Sequence, residues 1–206
     1  MALDVRVFMV ASAPSLSHAI TAVLSRLGTI DFRLQGLLYD VGSEDREVSL
    51  QGDWAAAVQS WDGVSFSVAR KGPSIGVVLE KVGGTTVRAR VTVSGRMLQR
   101  YFSEGRKHEA EFYVPLFQIA LALGARAGMG EFDLEDFEPR SDKEVEQAIR
   151  SSPSESSEQS SLGFLRREPD TPMPGGTFLV TERSEGYWLL EDPDYLDILE
   201  MGGLHP

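Results

Sequence analysis

The stretch V-S-F-S-V-A-R-K-G-P-S-I-G-V-V-L-E-K-V-G-G-T-T-V-R-A-R-V-T-V, residues 64–93, decides the fold. Apolar and polar residues alternate in three short runs within it, which is the period of strands that bury one face. The runs are separated by R-K-G-P-S at 70–74 and by V-G-G-T at 82–85, whose glycines suit tight hairpins. The stretch therefore predicts three strands in an antiparallel meander.

The residues before the meander predict a strand, a helix and a second strand. Val5 to Val10 is a short apolar run that is typical of a buried strand. Ser12 or Ser15 can then cap a helix with apolar residues at 3.6-residue spacing, which ends at Gly28. Residues 32–38 alternate again and predict the second strand.

Two helices are predicted after the meander. Pro115 suits the first turn of an apolar helix, which we expect to end around residues 128–130. Ser141 and Glu144 match the S-x-x-E capping box, so a short helix should begin there and reach Arg150.

The domain organisation follows from a change in composition after the second of these helices. We predict that residues 1–150 form an α+β core domain and that residues 151–176, which are rich in Ser and Pro, are a flexible connector. Residues 177–206 predict a hairpin around S-E-G and a helix, which pack on the core. The predicted fold class is α+β, with a mostly antiparallel sheet of about five to seven strands, helices packed on it and an opening strand-helix-strand unit.

The charge of the chain is divided unequally between its two parts. Residues 1–128 hold 14 Lys and Arg against 12 Asp and Glu, whereas residues 129–206 hold 6 against 19, and the net charge is −11. An asymmetry of this kind indicates a charged partner rather than a particular fold. Net acidity also disfavours nucleic acid and anionic membranes as partners.

Several classes of protein lack their sequence signals. The chain has no Cys and no apolar run that approaches the about 18 residues of a membrane span, and its first residues do not resemble a secretory signal, so we expect a cytoplasmic protein. The three His residues are far apart in sequence, and neither a metal-ligand spacing nor a phosphate-binding glycine pattern is present. We therefore predict no catalytic residues, no metal and no cofactor.

Ser74 supplies the one hydrolase-like pattern. Residues 72–76 read G-P-S-I-G and match G-x-S-x-G, which places a nucleophilic serine on a strand-to-helix elbow in α/β-hydrolases. Here the pattern falls in a predicted hairpin connection, so a turn is the preferred interpretation and a small hydrolase remains an alternative.

Two charged stretches carry the binding hypotheses. Residues 131–138, E-F-D-L-E-D-F-E, alternate carboxylates with apolar side chains, which predicts either a half-buried strand or a strip that binds a basic partner. The residues predicted to contact the partner are Glu131, Phe132, Asp133, Glu135, Asp136, Phe137, Trp188, Asp192, Asp194 and Tyr195. A basic band, which comprises Arg88, Arg90, Arg96, Arg100, Arg106 and Lys107, can bind the acidic C-terminal part of the same chain or a phosphate-bearing ligand.

In size, acidity, lack of Cys and a Trp-bearing α+β body, the chain resembles bacterial immunity proteins that neutralise a cognate toxin. The resemblance lies in overall character, so no functional residue is carried over from it. It implies a non-enzymatic protein that binds a basic partner, such as a toxin, as a monomer or homodimer. The alternatives are an assembly subunit that oligomerises through its C-terminal segment and the Ser74 hydrolase.

Overall fold

The computed structural model describes residues 4–43, 45–71, 74–94, 109–132, 138–150, 162–169, 173 and 178–191. Its strands are β1 Asp4–Ser12, β2 Arg33–Asp40, β3 Glu47–Val48, β4 Gly63–Ala69, β5 Ile75–Gly83, β6 Thr86–Ser94, β7 Ala127–Phe132, β8 Leu162–Arg166, β9 Leu179–Glu182 and β10 Tyr187–Glu191. Its α-helices are α1 Leu16–Gly28, α2 Trp54–Ala57, α3 Val114–Leu123 and α4 Asp142–Arg150. A 3₁₀ turn, Val58–Ser60, follows α2, and a π-helical turn, Glu109–Tyr113, leads into α3.

The strands form one sheet in the order β3-β2-β4-β5-β6-β1-β7-β8-β10-β9, and all neighbours are antiparallel. The α+β class, the antiparallel sheet and the opening strand-helix-strand unit are confirmed. The predicted strand number is too low, because the described residues form ten strands in this sheet, and β3, β7 and β8 were not expected. The C-terminal hairpin, which one alternative assigns to a neighbour's sheet, pairs with β8 of its own chain.

Ser15 and Ser141 cap the two helices at which the sequence predicts a serine cap. Ser15 caps α1 by accepting a hydrogen bond from the His18 amide at 3.1 Å. At α4, Ser141 Oγ accepts from the Glu144 amide at 3.3 Å, and Glu144 Oε2 accepts from the Arg140 amide at 2.8 Å. The Ser141 half of the capping box is therefore present, and it satisfies an amide that the helix itself leaves unbonded. The Glu144 carboxylate bonds to the Arg140 amide, one residue before the cap, and not to the Ser141 amide that the capping box predicts.

The predicted end of α3 around residues 128–130 is wrong. Gly124 has a φ of 73°, and its amide donates to Ala120 O and Leu121 O. A left-handed residue of this kind ends a helix, and glycine adopts it without strain. The chain is then free to form β7, which lies between β1 and β8.

Two hydrophobic clusters cover the two faces of the sheet. On one face, α1 and α3 pack together over the strands, and the buried residues include Ile20, Val23, Leu116, Ile119, Val7, Val77 and Val91. On the other face, α4 places Val145 and Ile149 over the part of the sheet around β7 and β8, with Val10, Met129, Leu165 and Leu190. Strands β7 and β8 are thus buried on both faces, which holds their ends in fixed positions.

Candidate binding surface at one end of the sheet

Six neighbouring strands of the sheet, from β6 to β9 in the strand order, begin or finish at the same end. The register pairs that define this end are Asp4 with Ser94, Val5 with Phe132, Gly130 with Leu162, Leu162 with Glu191, and Glu191 with Leu179. It therefore consists of the last residues of β6, β7 and β10 and the first residues of β1, β8 and β9. We call the part formed by Phe132, Leu162 and Glu191 the acidic end, because acidic segments of the chain are attached there.

Three acidic segments of the chain are attached to the acidic end. Residues 133–137 follow β7, residues 151–161 precede β8, and residues 192–206 follow β10; together they contain nine Asp and Glu and no Lys or Arg. Neighbouring strands are about 4.8 Å apart, so the ends of β7 and β10, which flank β8, are about 10 Å apart. The topology thus brings the points of attachment of these segments together, although the segments themselves lie outside the described residues.

Most acids of the C-terminal part that the structure describes already contact a cation. The ion pairs are Glu138 with Arg88 at 3.3 Å, Glu146 with Arg150 at 2.9 Å, Glu168 with Arg126 at 2.6 Å, Glu185 with Arg183 at 3.7 Å, and Glu182 with Arg167. The described residues hold 16 Lys and Arg against 19 Asp and Glu, whereas the remaining residues hold 4 against 12. The larger part of the net negative charge of the chain is therefore carried by segments outside the described ranges.

The predicted partner-binding residues do not all fall at this end. Glu131 and Phe132 are the last two residues of β7, and the backbone register places Glu131 beside Arg6 of β1. Trp188 lies near the other end of β10, three residues or about 10 Å from Glu191 along the strand. The remaining residues of the predicted set lie outside the described ranges; these are Asp133, Glu135, Asp136, Phe137, Asp192, Asp194 and Tyr195.

Trp188 is a half-buried residue beside the second hydrophobic cluster. It pairs in register with Leu165 on one side and Glu182 on the other. The guanidinium of Arg167 lies 5.6 Å from the centre of the indole ring, and it also contacts the Glu182 carboxylate. A cation over the indole face is a favourable contact and covers part of the surface that the prediction assigned to a partner.

Tyr113 is a residue at the acidic end that no sequence pattern singles out. Its side chain is 2% exposed, and its hydroxyl donates to Glu191 Oε1 at 2.5 Å. A hydrogen bond to an ionised carboxylate is stronger than one between neutral groups. This bond ties the end of β10 to the π-helical turn before α3 and fixes the point at which residues 192–206 begin.

The basic band is in contact with the acidic part of the chain at one described position. Arg88 donates from Nε to Glu80 Oε2 at 3.1 Å, and its Nη1 lies 3.3 Å from Glu138 Oε2. Arg90 lies beside Phe8 and Val78 in the register. The other members of the band, Arg96, Arg100, Arg106 and Lys107, lie outside the described ranges.

Ser74 is exposed and directly precedes β5, in the connection between two antiparallel strands. The hairpin context predicted for the G-P-S-I-G pattern is therefore present, and a strand rather than a helix follows the serine. Among the residues that can be described, no group of three His, Asp or Glu is placed to hold a metal ion. Across the same residues, no helix has the length and apolar character of a membrane span.

Two ionisable groups with shifted pKa values lie away from the acidic end. Burial raises the pKa of the Asp142 carboxyl, an effect that Arg126 opposes and Glu146 reinforces. Burial also raises the pKa of Tyr187 to about 12, with a lowering contribution from Arg166 and a raising one from Asp142. The Tyr187 hydroxyl donates to Ala125 O at 2.9 Å, so it joins β10 to the residue after the α3 cap.

Comparisons with known proteins do not identify a family. No family model matches the chain, and no curated protein matches it. Among solved structures, it has a distant similarity to "Pseudomonas aeruginosa T6SS protein PA0821", with 10% sequence identity and a TM-score of 0.45 over 98% of this chain and 75% of that one. A TM-score this low carries no argument about function.

Proposed function

We propose that this protein is a non-enzymatic binding protein whose acidic end contacts a basic protein. The observation that supports the proposal is the register of β7, β8 and β10, which attaches three segments with nine carboxylates and no Lys or Arg to one end of the sheet. Two like charges about 10 Å apart in water repel each other by roughly 0.4 kcal/mol before salt screening. A cationic partner relieves this repulsion, so the arrangement favours association with positive surfaces.

The more specific proposal is that this binding protein is an immunity protein, which neutralises a cognate basic toxin. It is supported by the resemblance in size, acidity and absence of Cys, and by the electrostatic argument above. Charge complementarity acts mainly on the rate of association and on the choice of partner, which suits an inhibitor that must capture a toxin quickly. The experiment is to co-express the chain with the products of adjacent reading frames and to ask which product it binds and whether it protects cells from that product.

A charge-reversal experiment tests the role of the acidic end. With the partner from that screen, the double variant Asp133→Lys and Asp136→Lys should slow association at low salt by on the order of tenfold. The matched control is Glu47→Lys with Glu168→Lys, which changes the net charge equally: Glu47 is exposed on β3 near the far edge of the sheet, and Glu168 contacts Arg126 just before the start of β7. Equal slowing by both variants would show that only net charge matters and would remove the acidic end from the proposal.

A further inference from the structure

Strand β9 lies at the edge of the sheet, and among the described strands only β10 pairs with it. The Arg183 amide donates to Tyr187 O at 2.9 Å, and Gly186, with a φ of 88°, donates to Arg183 O at 3.1 Å in the turn. Ladder hydrogen bonds of an antiparallel pair alternate along each strand, so Thr181 and Leu179 also face β10. The amides and carbonyls of Val180 and Glu182 consequently point away from the sheet, and no described group bonds to them.

The edge at β9 lacks the features that protect the opposite edge. At that opposite edge β3 has only two residues, and β2 has a register shift that includes Gly36 with a φ of 83°. Short strands and irregularities of this kind prevent the addition of further strands. Strand β9 contains no Pro, Lys or bulge, and Leu179 is 51% exposed on it.

We infer that β9 accepts an extended segment of the partner as an eleventh, antiparallel strand, with a Lys or Arg of that segment beside Glu182. The Glu182 side chain is 58% exposed; Arg167 contacts Oε1, while Oε2 has no partner within the described part of the chain. A basic segment fits this position better than a second copy does, because two copies with a net charge of −11 each repel. A four-residue edge is also too small to hold a stable dimer by itself.

The inference rests on the proposed function for the charge of the partner, but the outward edge of β9 is distinct from the acidic end. Strands β8 and β10 separate β9 from β7, and Glu182 pairs with Trp188, about 10 Å along β10 from Glu191. Only Leu179, at the start of β9, pairs with Glu191 itself. A partner that occupies both surfaces would gain speed of association from the acidic end and main-chain hydrogen bonds from β9. The two contributions can be measured separately.

The test uses synthetic peptides with the full chain. The probe is the capped octapeptide K-V-T-V-K-V-T-K, with a version methylated at alternate backbone nitrogens and a version with Glu in place of Lys as controls. Amide chemical shifts and amide hydrogen exchange are followed by NMR. The cationic peptide should shift the Val180 and Glu182 amides and slow their exchange by on the order of tenfold, and the methylated version should have no effect on them, because it cannot pair its backbone.

Two variants of Val180 test whether the peptide binds at the outward edge of β9. Val180→Pro removes an outward amide that makes no ladder bond, so the protein should keep its fold and lose the peptide. Val180→Thr keeps the amide and the branched shape and should bind as the parent does. Circular dichroism verifies that both variants are folded.

The outcomes separate the inference from the proposed function. No change at the Val180 and Glu182 amides, or equal binding of the methylated peptide, overturns the inference about β9. If the cationic peptide instead shifts residues of the acidic end alone, the inference is overturned while the proposed function stands. Equal binding of the Glu peptide at β9 would also overturn the inference, because the edge would then not select a basic segment.

Discussion

Replacing Gly128 with alanine introduces a methyl group where the ring of Phe164 already lies. An added Cβ at Gly128 would be 2.1 Å from Phe164 Cε1 and 2.4 Å from Cζ. Carbon atoms in contact are normally about 3.5–4.0 Å apart, so the ring or the backbone must move by more than about 1 Å. The ring is fully buried between Phe117 and Tyr187, at 5.6 and 5.3 Å between ring centres, and has little room to move.

The magnitude of the effect follows from two opposing contributions. Overpacking of a buried site costs about 1–3 kcal/mol, and the size of this overlap places Gly128→Ala near the upper value. The lower backbone entropy of alanine in the unfolded chain offsets roughly 0.5–1 kcal/mol. We therefore expect the free energy of unfolding, measured with urea, to fall by about 2 kcal/mol.

A matched substitution and a double-mutant cycle make this prediction refutable. Gly76 also lies within a strand, but a Cβ there would be 3.7 Å from Thr92 Cβ, which is ordinary contact. Gly76→Ala should therefore be neutral or stabilise by up to about 1 kcal/mol. In a Phe164→Leu background the penalty of Gly128→Ala should shrink by about 1 kcal/mol or more. Equal penalties at the two glycines, or an unchanged penalty in that background, would refute the packing of Phe164 on Gly128.

Three further predictions concern polar contacts. Tyr187→Phe removes the hydrogen bond to Ala125 O and leaves a buried carbonyl without its partner, so the free energy of unfolding should fall by about 1–2 kcal/mol in urea titrations. Tyr113→Phe removes the bond to Glu191 and should lower the free energy of unfolding by about 1.5–3 kcal/mol at neutral pH. Amide hydrogen exchange should be accelerated more at the end of β10 than in β1. The folded-state pKa of Asp142 is raised above 3.8, so the folded protein binds the proton more tightly than the unfolded chain. The free energy of unfolding therefore falls as the pH rises from about 3.8 to the folded-state pKa. Asp142→Asn should therefore stabilise the protein near neutral pH, and this gain should vanish below pH 3.8, the ordinary pKa of an Asp carboxyl. A gain that persists in acid would contradict the assignment.

The parts of the fold that were predictable are those in which neighbouring residues determine the structure. The helix cap at Ser141 and the turn at Gly186 involve contacts within a few residues, and both form as expected. The two interior strands β7 and β8 were not predicted, for a different reason. Gly128 and Gly130 have low strand propensity, and their purpose is apparent only when Phe164 and Val7 are placed against them.

The candidate surface was predictable in its chemistry and not in its position. The excess of carboxylates after residue 129 can be counted in the sequence. Their attachment at one end of the sheet depends on the pairing of β7 with β8 and of β8 with β10, and β7 and β8 have no alternating pattern from which they could be predicted. For the same reason, the sequence does not show that Trp188 lies away from that end of the sheet, and the register does.

The central position of β1 in the sheet has a consequence during translation of the chain. Its two neighbours in the sheet, β6 and β7, are translated much later, since the first residue of β6 follows the last residue of β1 by more than 70 positions. At typical synthesis rates the apolar β1 must wait roughly 4–15 s for β6 and longer for β7. During that interval the hydrophobic residues of β1 lack the two strands that pair with it in the folded protein. We therefore expect ribosome-associated chaperones to bind the nascent chain.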